Sequence, residues 1–432
     1  ADLATDAAVR QPTLDGAVDL AEAALVVSVA CISRSALDAF LRFAEEGDVS
    51  PEAFAIGALI RGNAQLREAI EANGMPGITG TRELVRHLLD ALVTSRSLSR
   101  GEAIRQVATA IGEAKVDGAS LKAPLPAMMG TTLEGFWQGE QWYEQVLRAG
   151  PGRARPRRLL QAMAGGQLAT AAELLGIPLE PLVVSNACAT GVSAIGRLFR
   201  RIRSGACDLG VAGGYDTLTR FIQLGFDSLG ALSPRTCAPF DRNRSGFFIG
   251  DGAAALVLES LDSARRRGAK IRAEIAGFGE SVDCHHPTHP DPEGKGIARA
   301  IRQGLEMAGL EPGAVDYVNA HGTGTPANDA AEAKGLLLAL GEEAGRNVPV
   351  SSTKALVGHT LGAAGAVEQC FCILALERGF LPVHGNLSEP DPACPLNFIR
   401  TPRGTPRVAL NNSLGFGGAN GALLTRRWEE GR

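Results

Sequence analysis

Three stretches of this 432-residue chain set reactive side chains where a β run gives way to a turn. In the first, Leu182-Val183-Val184-Ser185 breaks at Asn186-Ala187-Cys188. A helical pattern follows, with Val192, Ile195, Leu198, Phe199 and Ile202 recurring at spacings of three and four. A thiol is a useful nucleophile only as thiolate, and the free N–H groups and positive dipole end of a helix favour that anion. Cys188 has that setting, and the small residues Ala187, Ala189 and Gly191 would let a thioester approach the backbone closely. The alternative is inert packing, the commonest fate of a free cysteine. In the second stretch, Val318 to Pro326, His321 follows a β run inside a Gly/Thr turn. In the third, Ser351 to His359, the arrangement repeats with Lys354 five residues before its histidine. A single strand-end histidine is ordinarily structural; two of them, with a cysteine at a third strand end, point to thiol chemistry.

The elements that must carry these residues alternate. A strand-like Leu125 to Met129 runs into the turn Gly130-Thr131-Thr132, and a helical stretch around Glu102 to Ala114 precedes it. The Leu182 run, the helix after Cys188 and a second run from Leu209 to Ala212 form a strand-helix-strand unit, the kind that favours a parallel sheet. A related plan returns later: a strand at Val348 to Ser351, a Gly/Ala-rich turn from Lys354 to Gly365, and a helix from Ala366 to Arg378. The chain therefore reads as α/β with two halves of similar layout. Gly150 to Arg158 reads as an exposed loop whose Arg153, Arg155, Arg157 and Arg158 are solvated. Residues 1–95 carry helix-like stretches such as Arg82 to Val93 and a β-like Ala24 to Val29, without a chemical motif.

Bulk properties remove whole function classes. A net charge of −4 and pI near 6.1 give no global positive field for binding nucleic acid. With 45% hydrophobic and 21% charged residues the chain can bury a large core. Its most apolar early run, Ala23 to Cys31, is too short to span a membrane and lacks a basic leader, so the cytoplasm is the expected compartment. The eight cysteines are scattered without a disulfide framework and read as reduced. Cys284-His285-His286-Pro287-Thr288-His289 has zinc-type ligands, but no second ligand cluster stands at conventional spacing, and no metal is assigned.

Taken jointly, four motifs resemble the β-ketoacyl synthases in order and spacing: Ser-Asn-Ala-Cys188-Ala-Thr-Gly; Asn-Ala-His321-Gly-Thr-Gly-Thr; Ser-Thr-Lys354-Ala-Leu-Val-Gly-His359-Thr-Leu-Gly-Ala-Ala-Gly; and Asn412 to Asn420 around Phe416. The likeness runs from about Arg96 to the C-terminus and includes Pro239 through Gly252 and Ser281 through Pro292. It implies a thiolase-like fold, two related α/β halves in a layered αβαβα core. Residues 96–260 would form the half carrying the nucleophile, 261–432 the half carrying the histidines, and 1–95 a divergent N-terminal part. The implied reaction is a decarboxylative Claisen condensation, in fatty-acid or polyketide biosynthesis, of an acyl group on Cys188 with a malonyl thioester on acyl carrier protein. His321 and His359 would donate hydrogen bonds to the malonyl thioester oxygen, Lys354 would tune them, and Glu332 would support them. The backbone N–H groups of Cys188 and Phe416 would form the oxyanion hole, with the Phe416 ring as a gate. Thr323 and Thr325 would bind the pantetheine arm, and Thr288 lies in a loop lining its entrance.

The same resemblance implies no bound cofactor, since the substrates ride on the carrier's phosphopantetheine. It implies acyl carrier protein as partner and either a homodimer or a heterodimer with a related synthase subunit. Arg265 to Arg267 and Arg197, Arg200, Arg201 and Arg203 are candidate docking residues for an acidic carrier. Two other readings stay open: a non-catalytic partner that sets chain length, which would typically lack the cysteine, and a thiol acyl hydrolase. The chain departs from the family in the glycine-free stretch Ala24 to Ser33 and in Asp251, where glutamate is more usual.

Overall fold

Short apolar runs buried on both faces make the central strands, and helices crossing between them close the layers. The computed structural model describes residues 110–430 except 112, 113, 115, 117, 119, 120, 122, 134, 164 and 403. The Ala24–Val29, Ala24–Ser33 and Arg82–Val93 readings, and most of the Glu102–Ala114 helix, lie outside the described residues.

The first sheet contains β1 (Leu125–Gly130), β2 (Leu179–Val184), β3 (Leu209–Asp216) and β4 (Gly252–Glu259) in the order β2-β1-β3-β4. Strand β1 is parallel to β2 and β3, while β3 and β4 are antiparallel. The second contains β5 (Ala273–Val282), β6 (Tyr317–Asn319), β7 (Pro349–Ser351), β8 (Asn397–Phe398), β9 (Val408–Gly415) and β10 (Ala419–Arg427) in the order β5-β10-β9-β6-β7-β8. Here β6 is parallel to β7 and β9, and β9 is antiparallel to β10. Strands β1, β2, β3 and β4 thus correspond one for one, in neighbour and direction, to β6, β7, β9 and β10. The repetition suspected from the sequence is a repetition of topology.

Six helices bear on the site: α1 (Phe136–Ala149), α2 (Thr190–Arg203), α3 (Arg220–Ser228), α4 (Lys295–Ala308), α5 (Pro326–Leu340) and α6 (Ala364–Arg378). Helix α2 follows β2 as α6 follows β7, and the two cross between the sheets. Glycine makes the crossing possible: a Cβ on Gly191 would lie 2.6 Å from the Ala366 nitrogen, and one on Gly365 2.5 Å from Val192 Cγ2. Val192, Ile195 and Leu198 of α2 pack with Val367, Phe371 and Leu374 of α6 between Met128, Ala212 and Ala254 of the first sheet and Phe278 and Leu423 of the second. Ile297, Ile301, Leu336 and Leu340 from α4 and α5 cover the far face of the second sheet. Ile111 and Leu168 cover that of the first, completing the αβαβα order.

Two sequence expectations need correction. Gly150–Arg158 is not simply loop: it contains a 3-10 turn at Pro151–Arg153 and the start of a helix at Pro156–Ala162, with Ala154 buried. Pro156 at the first helical position fixes φ where its missing N–H costs nothing. Lys354–Gly365 likewise holds a helical turn at Lys354–Val357, and α6 begins two residues earlier than its periodicity indicates. The arginines of α2 are also engaged within the fold. Arg197 pairs with Glu280, Arg201 with Glu180, Arg203 donates to the Met307 carbonyl, and Arg200 lies over the Phe278 ring.

Candidate active site

Cys188 sits at the tip between β2 and α2, buried and two residues ahead of the helix. The chain reaches that tip through Ala187, which adopts φ 46°, a left-handed conformation costing a non-glycine residue about 1 kcal/mol. The Thr190 hydroxyl holds the turn by accepting from the Asn186 N–H at 2.7 Å. From the second half, the hairpin joining β9 to β10 presses on the same point: a Cβ on Gly415 would lie 2.9 Å from the Asn186 oxygen and 3.2 Å from the Cys188 nitrogen. The backbone N–H of the next residue, Phe416, lies near enough to the Cys188 sulfur to favour its thiolate. Burial opposes the thiolate that the helix end favours. Burial pushes the thiol up to about 12, outweighing Lys354 and the Phe416 N–H, and the Asp216 charge adds to the rise. The resting group is a thiol.

His321 follows β6 and His359 follows β7, both buried. Their rings stand 5.2 Å apart and nearly perpendicular, at 84°. Burial, then the charge of Lys354, holds both imidazoles well below the usual histidine range, and His359 lowers His321 further. Both are neutral at pH 7. The His359 Nδ1 accepts the Leu361 N–H at 3.3 Å, so its single proton is on Nε2. The His359 backbone is clamped through its own N–H to the Phe248 carbonyl at 2.7 Å and its carbonyl to the Gly250 N–H at 2.9 Å. The Nδ1 of His321 is buried without a partner among the described residues.

Lys354 is buried and forms an ion pair with Glu368 of α6. Its charge acts on Cys188, His321 and His359 together. Burial pushes the Glu368 carboxyl up to about 7 against that of the lysine. Glu332 supports the His321 turn through the backbone: it accepts the N–H of His321 and that of Gly322, each at 2.7 Å, and the Asn412 side-chain amide at 2.6 Å. Burial moves Glu332 up to about 7 despite those three donors.

Sequence reasoning missed Glu368 and Asp216. Asp216, buried at the end of β3, accepts from Thr131, Thr132, Leu133 and Gly362. Neither belongs to a motif with chemistry of its own; the i, i+14 separation of Lys354 and Glu368 leaves no local signal. Asp251 accepts the Leu218 N–H, and burial pushes it up to about 7.

Thr323 and Thr325 face each other, their hydroxyls 2.9 Å apart, at the start of α5. Thr288 lies on a different loop, where its hydroxyl meets His289 Nδ1 at 3.1 Å and its N–H donates to His286 Nδ1 at 3.1 Å. That loop touches the Phe416 hairpin, since the Gly417 N–H donates to the Pro287 carbonyl at 2.7 Å. Phe416 is 36% exposed, and its ring leans on Phe226 of α3 at 5.8 Å. Cys284 is an exposed free thiol, and no cluster of three or more His, Cys, Asp or Glu side chains suited to a metal occurs among the described residues. No helix among those residues is long and apolar enough to cross a membrane.

Known proteins match this architecture in sequence and in shape. Residues 102–264 match the family model for the beta-ketoacyl synthase N-terminal domain and 272–388 that for the C-terminal domain. The 3-oxoacyl-[acyl-carrier-protein] synthase 2 of Synechocystis sp. is 38% identical over 333 residues, spanning 74% of this chain and 79% of that protein. Among solved structures, the ishigamide ketosynthase/chain length factor is 36% identical, with a TM-score of 0.72 over 77% of this chain and 83% of that one. A type II polyketide ketosynthase complexed with its acyl carrier protein and bound to the hexaketide, AntDE:AntF, is 27% identical, with a TM-score of 0.74 over 78% and 87%. With the two family models matching 102–264 and 272–388 and a relative 38% identical over 74% of the chain, this chain belongs to the β-ketoacyl synthase family.

Proposed function

We propose that Cys188 carries the acyl chain and that His321 and His359 stabilise the enolate in a decarboxylative condensation. The observation that supports this most directly is the pair of neutral imidazoles 5.2 Å apart, sharing with the buried Cys188 thiol the charge of one buried lysine.

Loading is an exchange of thioesters: the Cys188 S–C bond forms, the pantetheine S–C bond breaks, and the thiol proton ends on the departing pantetheine sulfur. It needs no net base, which suits a nucleophile that rests as a thiol. The malonyl thioester then loses CO2, and the electron pair left behind is delocalised onto the thioester oxygen. A neutral imidazole donates to that oxygen without giving up its proton, and the Nε2–H of His359 is the preset donor. The carbanion attacks the acyl carbonyl carbon. The resulting oxyanion is held by the N–H groups of Cys188 and Phe416, and collapse expels the Cys188 sulfur, which takes one proton from solvent. Its high affinity for a proton favours that return. Splitting the reaction through an acyl-enzyme replaces one difficult step by two easier ones. No cofactor enters these steps, because decarboxylation itself supplies the carbanion.

In this reading Lys354 sets the electrostatics, Glu332 holds the His321 turn, Phe416 gates the acyl pocket, and Thr323, Thr325 and Thr288 line the pantetheine path. Acyl carrier protein is the partner that delivers both substrates, as the complexed polyketide ketosynthase suggests, and the protein pairs with a second copy or a related subunit. The described cysteines are all free, which fits the reducing cytoplasm. The test follows covalent acyl mass and product with acyl primers and malonyl carrier protein. Cys188→Ala should acquire no acyl label. His321→Ala and His359→Ala should still load but no longer condense; unchanged condensation would remove that histidine from the mechanism. Loading followed by hydrolysis, with no carbon–carbon bond formed, would mark a hydrolase instead.

A further inference from the structure

The Asp216 carboxylate takes no part in these steps, yet it ties the first half of the protein to the histidine turn of the second. It accepts from the Thr131 hydroxyl at 2.6 Å, the Thr132 hydroxyl at 2.5 Å and the backbone N–H groups of Thr132 and Leu133, all in the loop after β1. Its remaining donor comes from across the molecule: the Gly362 N–H, at 2.7 Å. Gly362 directly follows Leu361, whose N–H fixes His359 Nδ1 as an acceptor. Leu361 has φ 54°, a left-handed conformation that a leucine adopts only where its surroundings impose it. The surroundings here are tight. A Cβ on Gly362 would lie 2.7 Å from Asp216 Oδ2 and 2.8 Å from the Thr132 nitrogen, and one on Gly214 would lie 2.7 Å from the Gly362 oxygen.

We propose that Asp216 is a positioning residue for His359: by holding Gly362 it keeps the Leu361 N–H on the imidazole and aims Nε2–H at the thioester oxygen. The inference rests on the reading of His359 as an enolate donor. A second link runs to the nucleophile. Burial raises the Cys188 thiol most, and of the three charged groups it feels, Lys354 lowers it while Asp216 and Glu368 add to the rise. One carboxylate therefore acts on both reacting centres, through a turn in one case and through its field in the other.

The test compares Asp216→Asn and His359→Ala with the unaltered protein, using acetyl and malonyl thioesters of pantetheine. Three quantities are read: Cys188 loading by mass, kcat and KM for condensation with CO2 release, and the pH profile of iodoacetamide alkylation at Cys188. For Asp216→Asn, condensation kcat should fall about 10- to 100-fold, the scale of a misplaced catalytic group. Loading should be no slower, KM for the malonyl thioester should stay within about threefold, and the alkylation profile should move to lower pH. Full kcat in Asp216→Asn beside an inactive His359→Ala would overturn the inference and leave the role of His359 standing. Full kcat in His359→Ala would remove the reading beneath it. Loading and condensation falling together, with the alkylation profile unmoved, would mark general damage and also overturn it. Should Asp216→Asn fail to fold, Thr132→Val removes one donor and should lower kcat severalfold with loading retained; an unchanged kcat there would equally overturn the proposal.

Discussion

Glu332→Gln separates support of the His321 turn from burial of a charge, because only the second effect depends on pH. The amide can keep an oxygen where Oε1 receives His321 and Asn412, but it then presents NH2 to the Gly322 N–H that Oε2 accepts at 2.7 Å. Leaving that buried donor unpaired costs about 1–3 kcal/mol. The carboxyl has a cost of its own, since burial moves it from 4.5 up to about 7. The folded state therefore holds a proton that the unfolded state releases. The stability this gives is complete below pH 4.5 and is lost as pH rises through 7, a change of about 3 kcal/mol that glutamine does not undergo. Urea denaturation should find Glu332→Gln less stable than the unaltered protein by about 1–3 kcal/mol near pH 4.5, with the gap closing or reversing by pH 8. At both pH values condensation should fall at least about tenfold with Cys188 loading retained, because the His321 turn has lost one of its anchors. A gap that stays constant or widens with pH, or full condensation in the variant, would refute this account of Glu332.

Gly415→Ala should nearly abolish condensation and destabilise the protein by about 1–3 kcal/mol, since the new methyl meets the backbone of Asn186 and Cys188, which cannot yield as a side-chain tip can; turnover together with a denaturation midpoint checks it. Lys354→Met should slow iodoacetamide alkylation of Cys188 by roughly tenfold at fixed pH, for each unit by which the thiol rises once the lysine charge is gone. In the same variant Glu368 becomes a neutral buried acid, and an unshifted alkylation profile would mean that the lysine does not act on the thiol.

The sequence by itself determined which residues the proposed chemistry rests on. Cys188, His321 and Lys354 stand within about three residues of short β runs, with His359 five residues beyond Lys354, and such runs, with the helices after them, are set by local apolar periodicity. The structure keeps β2, β3, β7, α2 and α6 within a few residues of the expected limits. Tertiary structure alone decided what those residues experience. Sequence offers Cys188 a helix end and hence a thiolate; the fold wraps it in the β9–β10 hairpin, and desolvation outweighs every favourable charge near it. Glu332, expected only as a supporting carboxylate, holds the backbone of His321 and Gly322, because α5 lies alongside the turn that precedes it. Glu368 and Asp216 were invisible for a common reason. Each is an ordinary acidic residue in its own segment and gains its role from a partner brought near by the crossing of α6 or by the meeting of the two halves. Spacing along a chain fixes which side chains leave one face of one element. Burial and long-range charge depend on which elements are brought together, and only the folded packing specifies that.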